Sequence, residues 1–384
     1  MSTDRCAMRG SKVCAGTLFH CASLTLALTS GGALADLTSH ASARSPDSEN
    51  CTPFENTRPL CVFSNPEDLA VLANENTLIV SEYGDHHGTL PGALVFYNLD
   101  TERRRIAYDG HKSGRSKEYW GETSCTEPPG ELFSPHGIDL RQRPDSRWQL
   151  LAVQHGGRES VEFFEVAGKG NTLELIWRGC AIAPPDASLN AVAAGPDGDF
   201  YTTKMMSRNA SWTSEDGAAT QATGLVYHWS STQGFQPVPN SEGLMLNGIA
   251  ASEDGNTLYV VYSGENRIKK LDPKTGAIHG IALVRAVDNL KWAEDGQTLL
   301  AASFIGEEGS EAFAACSFST VGICPIAFEI VELNPDSLAT STLFSNPRAP
   351  MGAATVGLKF NADLFIGSFS GNRLLQVNLA ERHE

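Results

Sequence analysis

Short apolar runs bounded by turn residues recur along the chain from residue 58 to its end. Residues 77–81 read Thr-Leu-Ile-Val-Ser, and residues 160–166 read Ser-Val-Glu-Phe-Phe-Glu-Val, with partial alternation of apolar and polar positions. β-Branched and aromatic residues are frequent in these runs, and Asp-Gly or Gly-Asn pairs separate several of them. Short runs with tight turns between them are typical of antiparallel hairpins. The pattern therefore predicts an all-β fold.

The apolar runs are grouped into repeated units that begin with similar phrases. Asn190, Asn247 and Asp288 each precede an apolar run that ends in Pro-Asp-Gly or Glu-Asp-Gly. These phrases start 57 residues apart (190 to 247) and then 41 residues apart (247 to 288). Repeats of this length are typical of four-stranded propeller blades. Six units are predicted, and they begin at Glu67, His136, Asn190, Asn247, Asp288 and near Pro350.

The predicted architecture is a six-bladed β-propeller with a central channel. Residues 59–63 are expected to supply the outer strand of the last blade, because closing the ring removes the exposed edges of an open sheet. Residues 111–133 and 304–326 lack strand periodicity and are expected to form long loops at the channel mouth. The expected organisation is a signal peptide (1–35), a loose leader (36–58) and the propeller (59–384).

Four of the unit starts carry side chains that suit a metal ion. In a propeller the first strand of every blade lines the channel, so residues at the same end of these strands point toward one place. Glu67, Asn190, Asn247 and Asp288 occupy that position. One polar residue at a strand start is ordinary turn chemistry. Four together, with two carboxylates and two carboxamides, form a set of hard oxygen ligands that predicts Ca²⁺.

Charge and the N-terminal segment restrict the compartment and the partners. Basic residues precede a largely apolar stretch, and the motif Ala-Leu-Ala ends at Ala35, so we expect a signal peptide cleaved there and an exported protein. The formal net charge of −16 disfavours nucleic acid as a partner. No apolar run of about 20 residues follows the leader, so no stable membrane span is expected.

Cysteine usage agrees with export. Nine cysteines occur in the chain, and six of them lie beyond the predicted cleavage site. An even number in an exported protein indicates disulfides. Two of the six are close in sequence and are expected to pair across one loop; two further pairs would complete the set, although other pairings stay open. The expected pairs are Cys316–Cys324, Cys51–Cys61 and Cys125–Cys180.

Phrases near the unit starts resemble those of a known enzyme family. They are Ser134-Pro-His-Gly-Ile, Val153-Gln-His with Ser160-Val-Glu, Leu189-Asn, Leu246-Asn-Gly-Ile, Val287-Asp-Asn and Gly367-Ser-Phe-Ser-Gly. In this order and spacing they resemble the paraoxonase/arylesterase family of calcium-dependent lactonases. More broadly they are similar to the gluconolactonase (senescence-marker) and diisopropylfluorophosphatase propellers. The resemblance covers residues 59–380.

The resemblance implies one catalytic calcium ion and a pair of histidines. His136 and His155 match the family's proposed histidine pair, which would activate water, and Asp288 is a second candidate for that role. The implied ligands of the catalytic calcium ion are the side chains of Glu67, Asn190, Asn247, Asp288 and Asn289.

A second, structural calcium ion is implied less completely. It would use Asp68 and the backbone carbonyl of Ile138, together with an aspartate at a position where this chain has Ala191. Because an anionic ligand is missing, we expect this second ion to be weak or absent.

The implied function is calcium-dependent hydrolysis of lactones or aryl esters, which makes a small molecule the expected partner. Calcium would polarise the carbonyl group, and a histidine or aspartate would activate water. Two alternatives stay open. The same site would also suit a phosphotriesterase-like hydrolase, and the same fold would also suit a propeller that binds a ligand or a protein without catalysis.

Overall fold

The structure is a computed structural model that describes residues 51–85, 87–111, 118–208, 222–305, 316, 324, 326–345 and 350–381. The predicted signal peptide, most of the predicted leader and parts of both predicted loops lie outside the described residues. The described strands form six four-stranded antiparallel sheets. This arrangement confirms the predicted six-bladed β-propeller.

The strands are short, as the apolar runs predict. In chain order they are β1 (Thr57–Leu60), β2 (Pro66–Leu72), β3 (Thr77–Glu82), β4 (Ala93–Asn98), β5 (Arg103–Tyr108), β6 (Pro135–Gln142), β7 (Trp148–Gln154), β8 (Ser160–Ala167), β9 (Glu174–Ile182), β10 (Ala187–Ala194), β11 (Phe200–Ser207), β12 (Leu225–Ser230), β13 (Gly234–Pro237), β14 (Leu246–Ala251), β15 (Leu258–Tyr262), β16 (Arg267–Leu271), β17 (Ile278–Leu283), β18 (Val287–Trp292), β19 (Leu299–Phe304), β20 (Phe328–Leu333), β21 (Thr340–Ser345), β22 (Ala354–Phe360), β23 (Asp363–Ser368) and β24 (Leu374–Asn378). Short 3₁₀ turns lie at Ala73–Glu75, Gly170–Thr172, Ser263–Glu265 and Leu379–Glu381.

Blades 1 to 5 each take four consecutive strands, so blade 1 is β2–β5 and blade 5 is β18–β21. The first strand of every blade contacts the first strands of its neighbours, and β2, β6, β10, β14, β18 and β22 thus form a closed ring. This ring surrounds the channel and places the start of each repeat beside the starts of the others.

The last blade is completed from the other end of the chain. β22, β23 and β24 are joined by β1, which pairs with β24 in antiparallel register from Thr57 opposite Val377 to Leu60 opposite Leu374. Closure by an N-terminal strand is therefore confirmed, although the strand begins at Thr57 and not at residue 59. The early start extends the ordered sheet into the predicted leader.

The hydrophobic core lies between the blades. Alternate residues of each strand point to opposite faces, so both faces of a blade are covered by its two neighbours. Leu69 and Val80 of blade 1, for example, pack in one cluster with Val356 and Phe365 of blade 6, and all four are at most 1% exposed. Packing of this kind fixes the angle between adjacent blades and so the positions of their inner strands.

All three expected disulfides are present, between Cys51 and Cys61, Cys125 and Cys180, and Cys316 and Cys324. Disulfides persist in oxidising compartments, so they agree with an exported protein. Within the described residues, no helix is long and apolar enough to cross a membrane.

Candidate functional site

Six equivalent residues surround one end of the channel. Each lies at the start of the innermost strand of its blade, and each side chain is at most 9% exposed. The sequence pattern identified five of these six positions. The six residues are Glu67, His136, Asn190, Asn247, Asp288 and Thr355.

A break in strand pairing accompanies every one of these residues. The ladder between the first and second strands shifts between Pro66 and Asp68, and it shifts in the same way around Asn247, between Leu246 and Ile249. Matching shifts occur in the other four blades. A β-bulge leaves a residue outside the ladder and redirects its side chain. The repeated bulge therefore explains how strand residues can present polar groups at the channel.

The residues that precede four of the inner strands have a strained backbone conformation. Asn65, Met245, Ala286 and Ala353 each lie two residues before a channel residue and have φ between 41° and 51°. Left-handed backbone costs about 1–2 kcal/mol for a residue with a side chain. None of the four is glycine, and the surrounding propeller must therefore enforce this turn. Repetition of the turn in blades 1, 4, 5 and 6 sets the same geometry at each of those channel positions.

Close contact between inner strands explains the glycine after Asn247. A Cβ atom on Gly248 would lie 2.6 Å from the backbone nitrogen of Leu290 in the next blade. Gly137 follows His136 in the same way, and a Cβ atom on Gly137 would lie 2.6 Å from the carbonyl oxygen of Asn190 in the next blade. A larger residue at either position would push the ring of inner strands apart.

Three buried oxygens at this site have no hydrogen-bond partner within the described part of the chain: Oε2 of Glu67, Oδ1 of Asn190 and Oδ1 of Asn247. A buried polar atom without a partner costs about 1–3 kcal/mol. The amide nitrogen of Asn190 instead lies 3.7 Å from Sδ of Met205, so its oxygen is left for another group. Carboxylate and carboxamide oxygens without a donor are what a hard cation requires.

Asn289 and Asp288 lie beside these oxygens. The oxygen cluster is defined here as the side chains of Glu67, Asn190, Asn247, Asp288 and Asn289. Nδ2 of Asn289 donates a hydrogen bond of 2.6 Å to Oε1 of Glu67. Turning that carboxamide by 180° would present its oxygen at the same point, because its two ends are similar in shape. Among the described residues, no group of three or more His, Cys, Asp or Glu side chains is arranged to hold a metal. The cluster is instead rich in carboxamides, and its chemistry fits calcium better than zinc.

Among the described residues, the positive charge near the carboxyl groups of the cluster comes from Lys291, which only partly balances them. Burial raises the pKa of Glu67 well above its usual range, and the charges of Asp68 and Asp288 raise it further. Burial also raises the pKa of Asp288 to about 7, although a hydrogen bond with Asn247 acts in the opposite direction. A divalent cation between Glu67 and Asp288 would favour their ionised forms. The electrostatics and the unpartnered oxygens thus indicate the same kind of ligand.

The two predicted histidines are in direct contact. Nδ1 of His136 lies 2.9 Å from Nε2 of His155, and Nδ1 of His155 lies 3.0 Å from Oε2 of Glu159. The second oxygen of Glu159 accepts a 2.6 Å hydrogen bond from the backbone nitrogen of Leu189. All three side chains are buried. They form a hydrogen-bonded relay, which is defined here as His136, His155 and Glu159.

The carboxylate end of the relay determines where the protons lie. A carboxylate only accepts hydrogen bonds, and both oxygens of Glu159 lie within 3.1 Å of Nδ1 of His155, so a neutral His155 carries its proton on Nδ1 and accepts at Nε2. His136 therefore donates from Nδ1, which leaves Nε2 of His136 as the basic nitrogen. That atom lies 3.6 Å from Oε1 of Glu67, beside the oxygen cluster. Tyr83 stacks on the His136 ring at 4.5 Å between centroids and holds its plane.

The amine of a lysine occupies the position implied for a second metal ion. Asp68 and Ile138 lie together, but Nζ of Lys291 is 2.9 Å from Oδ2 of Asp68 and donates to the carbonyl oxygen of Ile138. Ala191 provides no side-chain oxygen nearby. These contacts argue against a metal ion at this second position.

Three residues of the site were not identified from the sequence. Glu159 follows His155 by four residues and Lys291 follows Asn289 by two, so an acidic or basic residue beside each predicted position was the available signal. Thr355 has no comparable signal. Its hydroxyl donates a 2.7 Å hydrogen bond to the carbonyl oxygen of Glu67, which links blade 6 to blade 1.

Part of the chain is similar to a known protein family. Residues 144–301 match the family model of the SMP-30/gluconolactonase/LRE-like region. The match confirms the resemblance to the gluconolactonase group of propellers that the sequence phrases indicated. No curated protein matches the chain.

Solved structures with the same architecture include enzymes and calcium-binding proteins. A presumed gluconolactonase has a TM-score of 0.51 at 13% identity, with 87% of this chain and 96% of that chain covered. A gluconolactonase from Xanthomonas campestris has a TM-score of 0.49 at 16% identity, with 84% of this chain and 89% of that chain covered. A calcium-binding regucalcin from Agrobacterium tumefaciens has a TM-score of 0.47 at 14% identity, with 83% of this chain and 90% of that chain covered. At these identities the likeness extends to the fold alone.

Proposed function

We propose that this protein is a calcium-dependent hydrolase of lactones or aryl esters. The observation that carries the proposal is the set of three buried oxygens without partners, on Glu67, Asn190 and Asn247, beside the basic nitrogen of His136. A cation site next to a general base is the arrangement that ester hydrolysis by water requires. The match to the gluconolactonase group supports lactones as the first substrates to test.

The ion would be held by the side chains around the channel. When bound, calcium supplies a positive charge that polarises the substrate carbonyl and stabilises negative charge on its oxygen. Glu67 and Asp288 would balance the charge of the ion, while neutral carboxamide oxygens would complete the shell and leave room for substrate. The proposed ligands are Glu67, Asn190, Asn247, Asp288 and Asn289.

The relay would move the proton of the attacking water. Nε2 of His136 takes the proton while the water oxygen bonds to the carbonyl carbon, and the resulting imidazolium is stabilised through His155 by the Glu159 carboxylate. The carbon–oxygen bond to the leaving group then breaks, and Nε2 of His136 returns the proton to the departing oxygen. The products are a carboxylic acid and an alcohol. Asp288 is a second candidate for the base, because burial raises its pKa to about 7.

A cavity beside the relay offers space for the rest of the substrate. It has a volume of about 620 Å³, and its lining includes Tyr83, Leu90 and Pro91. Tyr83 is also the residue that stacks on His136. Because apolar side chains contribute to the lining, we expect the cavity to favour lactones or esters with an apolar substituent over small sugar lactones.

A substrate panel tests the proposal. Purified protein is assayed on aliphatic lactones, aryl esters and phosphotriesters, each with calcium and after removal of calcium by a chelator. We expect turnover of lactones or aryl esters that is lost with the chelator and recovered with calcium. Hydrolysis of phosphotriesters alone would instead support the alternative hypothesis of a phosphotriesterase-like hydrolase. No hydrolysis of any class would support a binding propeller and reject the proposal.

We also propose that the chain is exported after cleavage near Ala35. The support is the three disulfides together with the charged and apolar pattern of the N-terminal segment. N-terminal sequencing of the secreted or periplasmic protein tests this directly, and a mature chain that retains residues 1–35 would contradict it.

A further inference from the structure

The amine of Lys291 lies among groups that otherwise resemble a cation site. It is 2.9 Å from Oδ2 of Asp68 and donates to the carbonyl oxygen of Ile138, and its side chain is 13% exposed. Asp68 is 1% exposed and also accepts hydrogen bonds from the backbone nitrogens of Ile138 (2.7 Å) and Leu69 (2.8 Å). A buried aspartate with these donors needs one further positive partner, and Lys291 provides it.

The lysine contact also crosses the channel. Asp68 belongs to β2 of blade 1, Ile138 to β6 of blade 2 and Lys291 to β18 of blade 5. One ammonium group thereby joins three inner strands that are far apart in sequence. A metal ion with ligands from several blades would stabilise the ring of inner strands in the same way.

The charges of the channel agree with a single additional divalent ion. Three buried carboxyl groups lie there, on Glu67, Asp68 and Asp288. Counted as carboxylates beside one ammonium group, that of Lys291, they give a net charge of −2. One Ca²⁺ neutralises this charge, whereas two Ca²⁺ would leave an excess of +2. Glu159, the remaining acid of the site, has its own cation, Arg208, at 3.8 Å.

We propose that the ammonium group of Lys291 takes the place of a second metal ion, so that the channel holds one divalent ion and one built-in cation. The residues present do not fit a second calcium ion: an amine already contacts Asp68 and Ile138, and Ala191 offers no oxygen. Space is also limited, because a Cβ atom on Gly137 would be 2.6 Å from Cα of Ala191. This inference concerns the structure of the channel and holds whether or not the protein is a hydrolase.

The test compares four proteins: the wild type, Ala191→Asp, Lys291→Met and the double variant. Bound calcium is counted per chain after equilibration with millimolar calcium and removal of free ion, and melting is followed with and without calcium. Ala191→Asp should bind no more calcium than the wild type, because the lysine still fills the position. The double variant should bind one ion more than the wild type, because it exposes Asp68 and adds a carboxylate.

Melting measurements provide an independent readout. Lys291→Met leaves a buried carboxylate unpaired, so its melting temperature without calcium should fall by about 5 °C. Lys270→Met is the matched control: its amine contacts the carbonyl oxygen of Pro335, at 2.8 Å, and the Tyr259 ring, and a fall of less than about 2 °C is expected. In the double variant, calcium should recover most of the loss.

Two results would overturn the inference. One is an additional calcium ion in Ala191→Asp while Lys291 is intact. The other is a double variant with no additional ion together with a Lys291→Met variant as stable as the Lys270→Met control. If Lys291→Met does not accumulate as folded protein, the ion count of Ala191→Asp still decides the question. The number of bound calcium ions in each variant is compared with the number in the wild type. A failure of the proposed catalytic site would therefore be seen separately, because the wild type itself would then bind no calcium.

Discussion

Replacing Glu159 with glutamine tests the proton relay with a minimal change in shape. The backbone nitrogen of Leu189 donates to Oε1 of Glu159 at 2.6 Å, and a glutamine oxygen can accept that bond unchanged. The glutamine NH₂ group would then stand in place of Oε2, which lies 3.0 Å from Nδ1 of His155, and the glutamine oxygen would keep the position of Oε1, 3.1 Å from the same nitrogen. The hydrogen bond to Nδ1 can therefore persist, but the carboxamide carries no negative charge to stabilise an imidazolium.

The change would propagate along the relay. His155 contacts Nδ1 of His136 across 2.9 Å, so the positive charge that forms when His136 takes a proton from water is stabilised through His155 by the carboxylate. Without that carboxylate charge, His136 becomes a weaker base toward water. General-base assistance is worth about 10²–10⁴ in rate. The corresponding carboxylate-to-carboxamide change in serine proteases lowers kcat about 10⁴-fold, with a change of histidine tautomer in addition. We therefore expect Glu159→Gln to lower kcat by about 10³-fold, or about 4 kcal/mol.

The assay is turnover of the best lactone or aryl ester as a function of pH, with bound calcium and melting temperature measured on the same samples. Calcium content, KM and melting temperature should stay close to wild type, since shape and the Leu189 contact are retained. Glu165→Gln is the matched control on β8, the strand that begins directly after Glu159: Glu165 is paired with Arg178 and, within the described part of the chain, no contact joins it to the histidines, so kcat should not change. If Glu159→Gln keeps kcat within about threefold of wild type, with the same pH profile, the relay does not set the base and the reasoning is wrong.

Other predictions concern the ion and its ligands. Asp288→Ala should abolish calcium-dependent hydrolysis and lower calcium content, because Glu67 alone would balance the ion; near-wild-type metal content would exclude Asp288 as a ligand. His136→Gln should lower turnover about 10²–10⁴-fold and leave calcium bound; an unchanged pH–rate profile would transfer the base role to Asp288. In calcium-free protein, melting temperature should fall as pH rises from about 5 to 8, because the folded pKa of Asp288, about 7, exceeds its unfolded value. That stability is present at low pH and lost as pH rises through 7, and a curve that rises over this window would contradict the assignment.

Much of the fold was predictable because the propeller repeats a local pattern. Each repeat shows three signals within about ten neighbouring residues: an apolar strand, a tight turn and a polar residue at the strand start. Counting the repeats gives the number of blades. An even cysteine count predicted disulfides, and a separation of 8 residues predicted the Cys316–Cys324 pair, whereas the other pairings stayed open until the structure was known. The sequence was less informative about the outer strand of the last blade, which begins at Thr57, because its partner β24 is more than 300 residues away in sequence.

The site was predictable only where it follows the repeat. Glu67, Asn190, Asn247 and Asp288 are at equivalent positions, and the register of the inner strands brings them to one end of the channel. Glu159 lies in the turn before β8, outside the repeated position, and only the packing of that turn against Leu189 places its carboxylate at His155. No spacing rule relates these residues.

What the sequence by itself determined is the class of fold and the residue types at the start of each inner strand, because both depend on short-range periodicity and on residue type. What only the tertiary structure decided is how each charged group is paired. Lys291 meets Asp68 and Ile138 across three blades, and Glu159 sets the protons of two histidines from beside the next inner strand. Electrostatic pairing depends on distances of a few ångströms between groups far apart in the chain. Those distances arise only when all six blades close into a ring.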